Sequence, residues 1–368
     1  MFSILNMNIS STNYSVIKSS KNNMSFKGYD ARPLKSLLMR DSCLLDTLPV
    51  AKELEKIGKK HGFGILFEGY DVLEKLPSDK FNSRMVLPWM QDYIHILKDK
   101  IITVGGFNRP QVAEKFLNKP VENVVCEKFV KGGNVYIVKK DGTEKIIVGE
   151  DDCIKAMGLF KHFDICQIPQ ADYHIDLFIR PLKDGNILVA DDKMTLNILK
   201  SARDKLAKES DISAEVALLK LDCLIKNMAK VVQDRLPKST DEVIKKLEKE
   251  GYTTIRVPGR IIKTSTNSSL KNILNYVNAI VHENPEGDLV YITNYSNVID
   301  NLGLNQKIVD RVGLNFEKHF KTAVKSYIKP QNIYFIKGGK EQDANIDYFL
   351  RCQDGGIHCM TCEVPVGL

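Results

Sequence analysis

The run Gly355-Gly356-Ile357-His358-Cys359-Met360-Thr361-Cys362-Glu363-Val364-Pro365 joins a glycine pair to a histidine and two cysteines. Glycines let a backbone approach a ligand closely, and a cysteine just beyond them can stand at an exposed turn with its sulfur ready to attack. The same residues admit other readings. Most free cysteines are inert core side chains. Cys359 and Cys362 also form a Cys-x-x-Cys pair, which could be a redox dithiol or half of a zinc site. A redox pair normally follows the first strand of a βαβ unit, and these two stand near position 360. Zinc would need two more ligands; Cys352 and His358 are available, but no second pair with ligand spacing exists.

Working upstream, Tyr173-His174-Ile175-Asp176-Leu177-Phe178-Ile179-Arg180-Pro181 leads through Asp184-Gly185-Asn186 into a strand. In an extended segment residues two apart face the same side, so His174 and Asp176 would point together into one site. That suits a general acid/base beside a carboxylate that holds a cation. A satisfied structural histidine is the plainer alternative. Further upstream, Pro88-Trp89-Met90-Gln91-Asp92-Tyr93-Ile94-His95 sets the only tryptophan of the chain three residues before a carboxylate. Trp89 can wall a pocket while Asp92 binds a cation; the alternative is a core tryptophan with a surface aspartate.

Short β-branched runs predict strands at Ile65–Phe67, Ile101–Val104, Val135–Val138, Ile146–Val148, Ile187–Ala190, Thr254–Val257, Leu289–Ile292 and Ile333–Ile336. Helical spacing predicts a helix from Pro33 to His61, ended by Gly62-Phe63-Gly64, two or three helices from Met194 to Lys249, and one from Leu304 to Tyr327. Alternating strands and helices make the class α/β. No internal repeat is visible to the eye.

With 368 residues, 43% of them apolar, and 13 prolines, the chain can bury a large core. Its 53 Lys and Arg are interleaved with 46 Asp and Glu, so the net charge of +7 is not gathered into a stripe and no nucleic-acid partner is expected. The eight cysteines, at 43, 126, 153, 166, 223, 352, 359 and 362, lack the dense framework of a small secreted scaffold, and reduced thiols in the cytoplasm are expected. There is no run long enough for a signal peptide core or a membrane span, so no membrane partner is expected. Residues 1–25, rich in Asn and Ser, read as a flexible tail.

In order along the chain, Trp89-x-x-Asp92, Gly132-Gly133-Asn134, His174-x-Asp176 and Gly-Gly-Ile-His-Cys359-x-Thr resemble the motifs of the guanidine-modifying enzymes. Agmatine deiminases and bacterial peptidylarginine deiminase-like proteins look most similar. The resemblance spans roughly residues 30 to 368, with a helical insertion at about 205–245. It implies one pentein catalytic domain over 26–368: an α/β propeller of five pseudo-symmetric ββαβ units with the site in its central channel. It further implies Cys359 as nucleophile, His174 as general acid/base and Asp92 and Asp176 as a carboxylate clamp. Trp89, Gly133, Asn134, Gly356 and His358 would lie beside the substrate. The implied reaction converts the guanidinium of arginine, agmatine or peptidyl-arginine to a ureido group and ammonia through a covalent amidino intermediate, with no cofactor and no metal. An amidinotransferase would use the same Cys, His and Asp set but pass the amidino group to an amine. A non-catalytic pentein that binds a partner would have no need of all four groups. Homo-oligomerisation is left open.

One position departs from the pattern. Arginine and agmatine deiminases carry Glu just before the Gly-Gly pair, where it orients the histidine; here Lys131 stands there. Lysine cannot accept a hydrogen bond, and as a cation it should depress the pKa of His174. Glu127 is a candidate replacement acceptor. Arg180, Arg256 and Arg260 are candidate partners for a substrate α-carboxylate.

Overall fold

Residues 31–41, 46–68, 89–97, 100–104, 117–209, 212–234, 239–263, 271–296, 298, 300–341, 344–346, 349 and 355–367 are described in the computed structural model of the chain. The helix expected from Pro33 to His61 is instead a strand and a helix, β1 (Leu34–Arg40) and α1 (Leu48–His61). β1 runs between two other strands and is buried at every residue but one. A strand buried on both faces reads as a continuous apolar run, which helical spacing imitates over one or two turns. α1 carries Pro49 in its first turn and stops where Gly62 turns to φ 90°.

β1 pairs in parallel with β2 (Gly64–Glu68), reached through α1, and antiparallel with β17 (Cys362–Pro365). The same pattern recurs along the chain. β3 (Ile94–Ile96), β4 (Ile101–Val104) and β5 (Val121–Val124) form the second sheet. β6 (Val135–Lys140), β7 (Thr143–Gly149), α2 (Cys153–Leu159) and β8 (Asp164–Ile168) form the third unit. β9 (Ile179–Pro181), β10 (Asn186–Asp191) and β11 (Thr253–Pro258) form the fourth sheet. Between its last two strands lie α3 (Asp192–Leu206), α4 (Ile212–Asp234) and α5 (Thr240–Lys249). A ribbon of β12 (Arg260–Lys263) and β13 (Lys271–Leu274) precedes the fifth unit, which comprises β14 (Ile280–Glu283), β15 (Leu289–Asn294), α6 (Gln306–Val312), α7 (Phe316–Val324) and β16 (Ile333–Ile336).

Among the described residues, five sheets therefore have three strands each, the middle strand antiparallel to one neighbour and parallel to the other. A parallel pair needs a crossover, and a helix supplies it wherever the crossover is described. Pairing of β17 with β1 joins strands from opposite ends of the chain and closes the set into a ring. The repeat is one of topology, which is why reading residues by eye does not find it.

All the expected strands are present. The helix expected from Leu304 to Tyr327 is two, because Gly313 takes φ 76° to end α6 and the Asn315 side chain accepts from Lys318 N at 3.0 Å to begin α7. Met194–Lys249 divides into α3, α4 and α5, and α4 with the start of α5 fills the stretch expected as an insertion. Leu199 and Leu206 of α3 and Leu221 and Met228 of α4 pack on Val257, Tyr276 and Phe320 in the largest apolar cluster. Among the described residues no helix is long and apolar enough to cross a membrane.

Candidate active site

Each of five short turns precedes the antiparallel outer strand of its unit, and these turns are hydrogen-bonded to one another in sequence. Gln91 Nε2, before β3, donates to Gly132 O at 3.2 Å, before β6. Asn134 Oδ1 in that second turn accepts from Ile175 N at 3.2 Å, before β9. Asn278 Nδ2, before β14, donates to Asp176 Oδ2 at 3.0 Å, and Asn278 Oδ1 accepts from His358 N at 3.0 Å, before β17. The Gln91 Nε2 amide lies 3.2 Å from His358 Nε2 and completes the circle.

Asp176 stands at the middle of this circle, fully buried. Its Oδ2 accepts from Asn278 Nδ2 and His358 Nδ1 at 3.0 Å and from Cys359 Sγ at 3.3 Å, and Asn278 Nδ2 is also 3.1 Å from that sulfur. Arg180 Nη1 lies 2.8 Å from His358 Nε2. A guanidinium can only donate, so Nε2 accepts and the proton of His358 is on Nδ1, aimed at Asp176. Arg180 Nη2 is in turn held by Glu363 Oε1 at 2.8 Å, and the His358 ring stacks on Tyr136.

Above the sulfur opens a cavity of about 430 Å³ whose lining includes Cys359, Asp92, His174, Trp89 and Gly355. His174 Nδ1 is 4.0 Å from Asp92 Oδ1, while His174 Nε2 and Asp176 Oδ1 are buried without a hydrogen-bond partner. Glycine is required at two of these turns. A Cβ on Gly355 would fall 2.6 Å from the Trp89 ring, and one on Gly133 would fall 2.6 Å from His174 Nδ1 and 3.1 Å from Asp176 Oδ1.

The structure thus brings Cys359, His174, Asp92, Asp176 and Trp89 together, with Gly133 against the histidine. Three expected substrate neighbours stand behind the wall. The Asn134 amide is used by Asp152, Gln170 and Ile175 N. His358 is enclosed by Asp176, Arg180 and Tyr136, and Gly356 packs against Asn278 and Asn294. Glu127 is exposed and does not figure among the charges acting on His174, so it is not the histidine's partner; the nearest carboxylate is Asp92. Arg180 is spent on His358 and Glu363, and Arg256 is bound to Asp191 and Asp241 at 2.7 Å beside a separate cavity. The Arg260 side chain and Cys352 lie outside the described residues. Cys362 faces an apolar cluster with Leu38, Met90 and Ile94, and among the described residues no group of three or more His, Cys, Asp or Glu could hold a metal. Sequence reasoning misses Asn278, and with it Asn275 and Asn294, whose amides fix its turn. The one signal is the position of Asn275-Tyr276-Val277-Asn278 just before a strand, matching the other four turns.

No protein-family model and no curated protein matches the chain. Among solved structures, the agmatine deiminase of C. jejuni superposes with a TM-score of 0.51 at 13% identity, over 95% of this chain and 99% of that one. The chain folds as a pentein. In this pentein the cavity opens where the five pre-strand turns converge, and burial governs its titrating groups. Burial raises the Asp176 carboxyl to about 8, against the pull of the Cys359 and Asn278 hydrogen bonds. Burial likewise lifts the Cys359 thiol well above its ordinary value, with Asp176 and Asp92 adding to the rise. His174 is lowered, chiefly by burial; Asp92 opposes the shift and Lys131 reinforces it, the sign expected from the lysine before the glycine pair. Without a bound cation, the site holds a neutral thiol and a neutral imidazole.

Proposed function

We propose that this pentein is a deiminase, hydrolysing a guanidinium group to a ureido product and ammonia. The observation that carries this reading is the meeting of a thiol, an imidazole and the Asp92 carboxylate in the lining of one cavity, with a second carboxylate, Asp176, hydrogen-bonded to the thiol. A guanidinium is planar, cationic and resonance-stabilised, so its carbon resists attack unless its edges are held and a nucleophile stands over the plane. Asp92 on the wall and the unpartnered Oδ1 of Asp176, the carboxylate held against the Cys359 sulfur, offer acceptors to its N–H groups, and charge-assisted pairs of this kind fix geometry as well as affinity.

The arriving positive charge reverses the electrostatics of the empty site. It favours ionised Asp176 and thiolate, and the Cys359 proton passes to His174. Sulfur attacks the guanidinium carbon; the imidazolium then protonates the departing nitrogen, which leaves as ammonia, and an amidino-thioether remains. Neutral His174 next takes a proton from water, whose oxygen attacks the same carbon and expels the sulfur. These steps use only side chains and water.

The test is release of ammonia and a ureido product from arginine, agmatine and an arginine peptide. Wild type should turn over at least one of them. Cys359→Ala should fall to background with its fold intact, and Cys362→Ser should keep most activity, because its sulfur lies in the apolar cluster. Equal damage from both changes would favour a dithiol. Amidino transfer to an added amine without ammonia release would make the chain an amidinotransferase. A Cys359 inert to a haloacetamidine would make it a non-catalytic binding protein.

A further inference from the structure

The outer wall of this cavity carries Lys131 and Lys155. We propose that these lysines select a guanidino compound whose far end is a carboxylate, so that a guanidino acid is preferred to agmatine or to arginine within a peptide. The inference rests on the deiminase reading, because it takes the guanidinium end to be seated over Cys359.

With that end fixed, the tail of the substrate must lie along the remaining wall, among Tyr93, Cys126, Phe129, Lys131, Lys155 and Tyr173. The charges there do not cancel. Asp92 is committed to the guanidinium. Asp152 is spent twice, its Oδ1 on Lys155 at 2.8 Å and its Oδ2 on the Asn134 amide at 3.0 Å. Asp172 accepts from Tyr173 N and is not among the residues that line the cavity. Lys131 has no ion-pair partner among the described residues. Among the described residues that line it, an occupied site therefore presents one ammonium without an ion-pair partner and one partly neutralised ammonium to the tail, and no spare carboxylate. An ammonium-ended tail meets like charge; a carboxylate-ended tail meets a partner, in a partly desolvated space where Coulomb forces are stronger than in water.

Three probes isolate the end group: 5-guanidinopentanoate, agmatine and pentylguanidine share a chain of four methylenes and end in a carboxylate, an ammonium and a methyl. Dissociation constants are measured by calorimetry on the full chain carrying Cys359→Ala, and KM values on wild type. The expected order is carboxylate, then methyl, then ammonium, with about a tenfold gap between first and last, as for partly exposed ion pairs of opposite sign. Lys131→Ala should shrink the gap to about twofold, and Lys131→Glu should invert it. Lys131 is exposed, so neither change threatens the fold. Agmatine binding as tightly as the acid, a gap unmoved in Lys131→Glu, or no binding by any probe would overturn the inference. Ordered binding without turnover in wild type would overturn the deiminase reading alone, and turnover with agmatine preferred would overturn the selectivity alone.

Discussion

Asp176 takes three donors on Oδ2 and none on Oδ1, so a single residue both holds the cysteine turn and keeps an acceptor open. Its raised pKa, about 8, makes a prediction whose sign can be worked out. Below that pH the empty site keeps the carboxyl protonated, and a guanidinium favours the carboxylate, so binding must expel the proton. At pH 7, calorimetry of Cys359→Ser with an alkylguanidine, run in buffers of different ionisation enthalpy, should report release of roughly one proton. Release should fade above pH 8, where the proton is already gone, and affinity should rise with pH up to that point and then level. Heats that do not depend on the buffer at pH 7 would mean that Asp176 is ionised in the empty site. The hydroxyl of the serine variant keeps a donor toward Oδ2, which is why it serves better than alanine here.

At the scale of elements, the turn Gly132–Asn134 shows how little of a side chain's surroundings a linear reading conveys. Gly133 has no room for a methyl group: an added Cβ would press on His174 Nδ1 and crowd Asp176 Oδ1. Gly133→Ala should therefore lower kcat by about a hundredfold through misplacement of the histidine, while destabilising the fold by only about 1–3 kcal/mol of overpacking. Parallel measurement of turnover and thermal unfolding separates the two; a variant that loses stability but keeps kcat would show that His174 can shift without penalty. Cys359, His174, Asp176 and Asp92, which the structure brings together, are legible in the sequence because thiol, imidazole and carboxylates are chemically distinctive residue types at motif spacing. Asn278, Lys155 and the behind-the-wall positions of Asn134 and His358 are not, because an amide before a strand or a lysine on a short helix carries no such mark until the ring places it. The strand at Leu34–Arg40 escapes a linear reading for a related reason: burial on both faces erases the period of two that identifies a strand.

Across the whole molecule, the ring is closed by the pairing of β17 with β1 and tied internally by Arg180 of β9 and Glu363 of β17, at 2.8 Å with both side chains buried. An arginine keeps its charge in any environment, so Glu363→Gln would strand a buried cation and should cost about 3–5 kcal/mol. A buried pair replaced whole by apolar groups of similar volume is often neutral, so Arg180→Met combined with Glu363→Leu should recover most of that stability. It should not recover activity. A thioether in place of the guanidinium offers no donor to His358 Nε2, the Nδ1–H tautomer is no longer imposed, and Asp176 loses a fixed hydrogen bond beside Cys359. Denaturant unfolding and turnover measured on the single and double variants decide the matter: recovery of both together would make the pair purely structural, whereas stability regained with kcat still depressed assigns Arg180 the positioning of His358 as well as the closing of the ring.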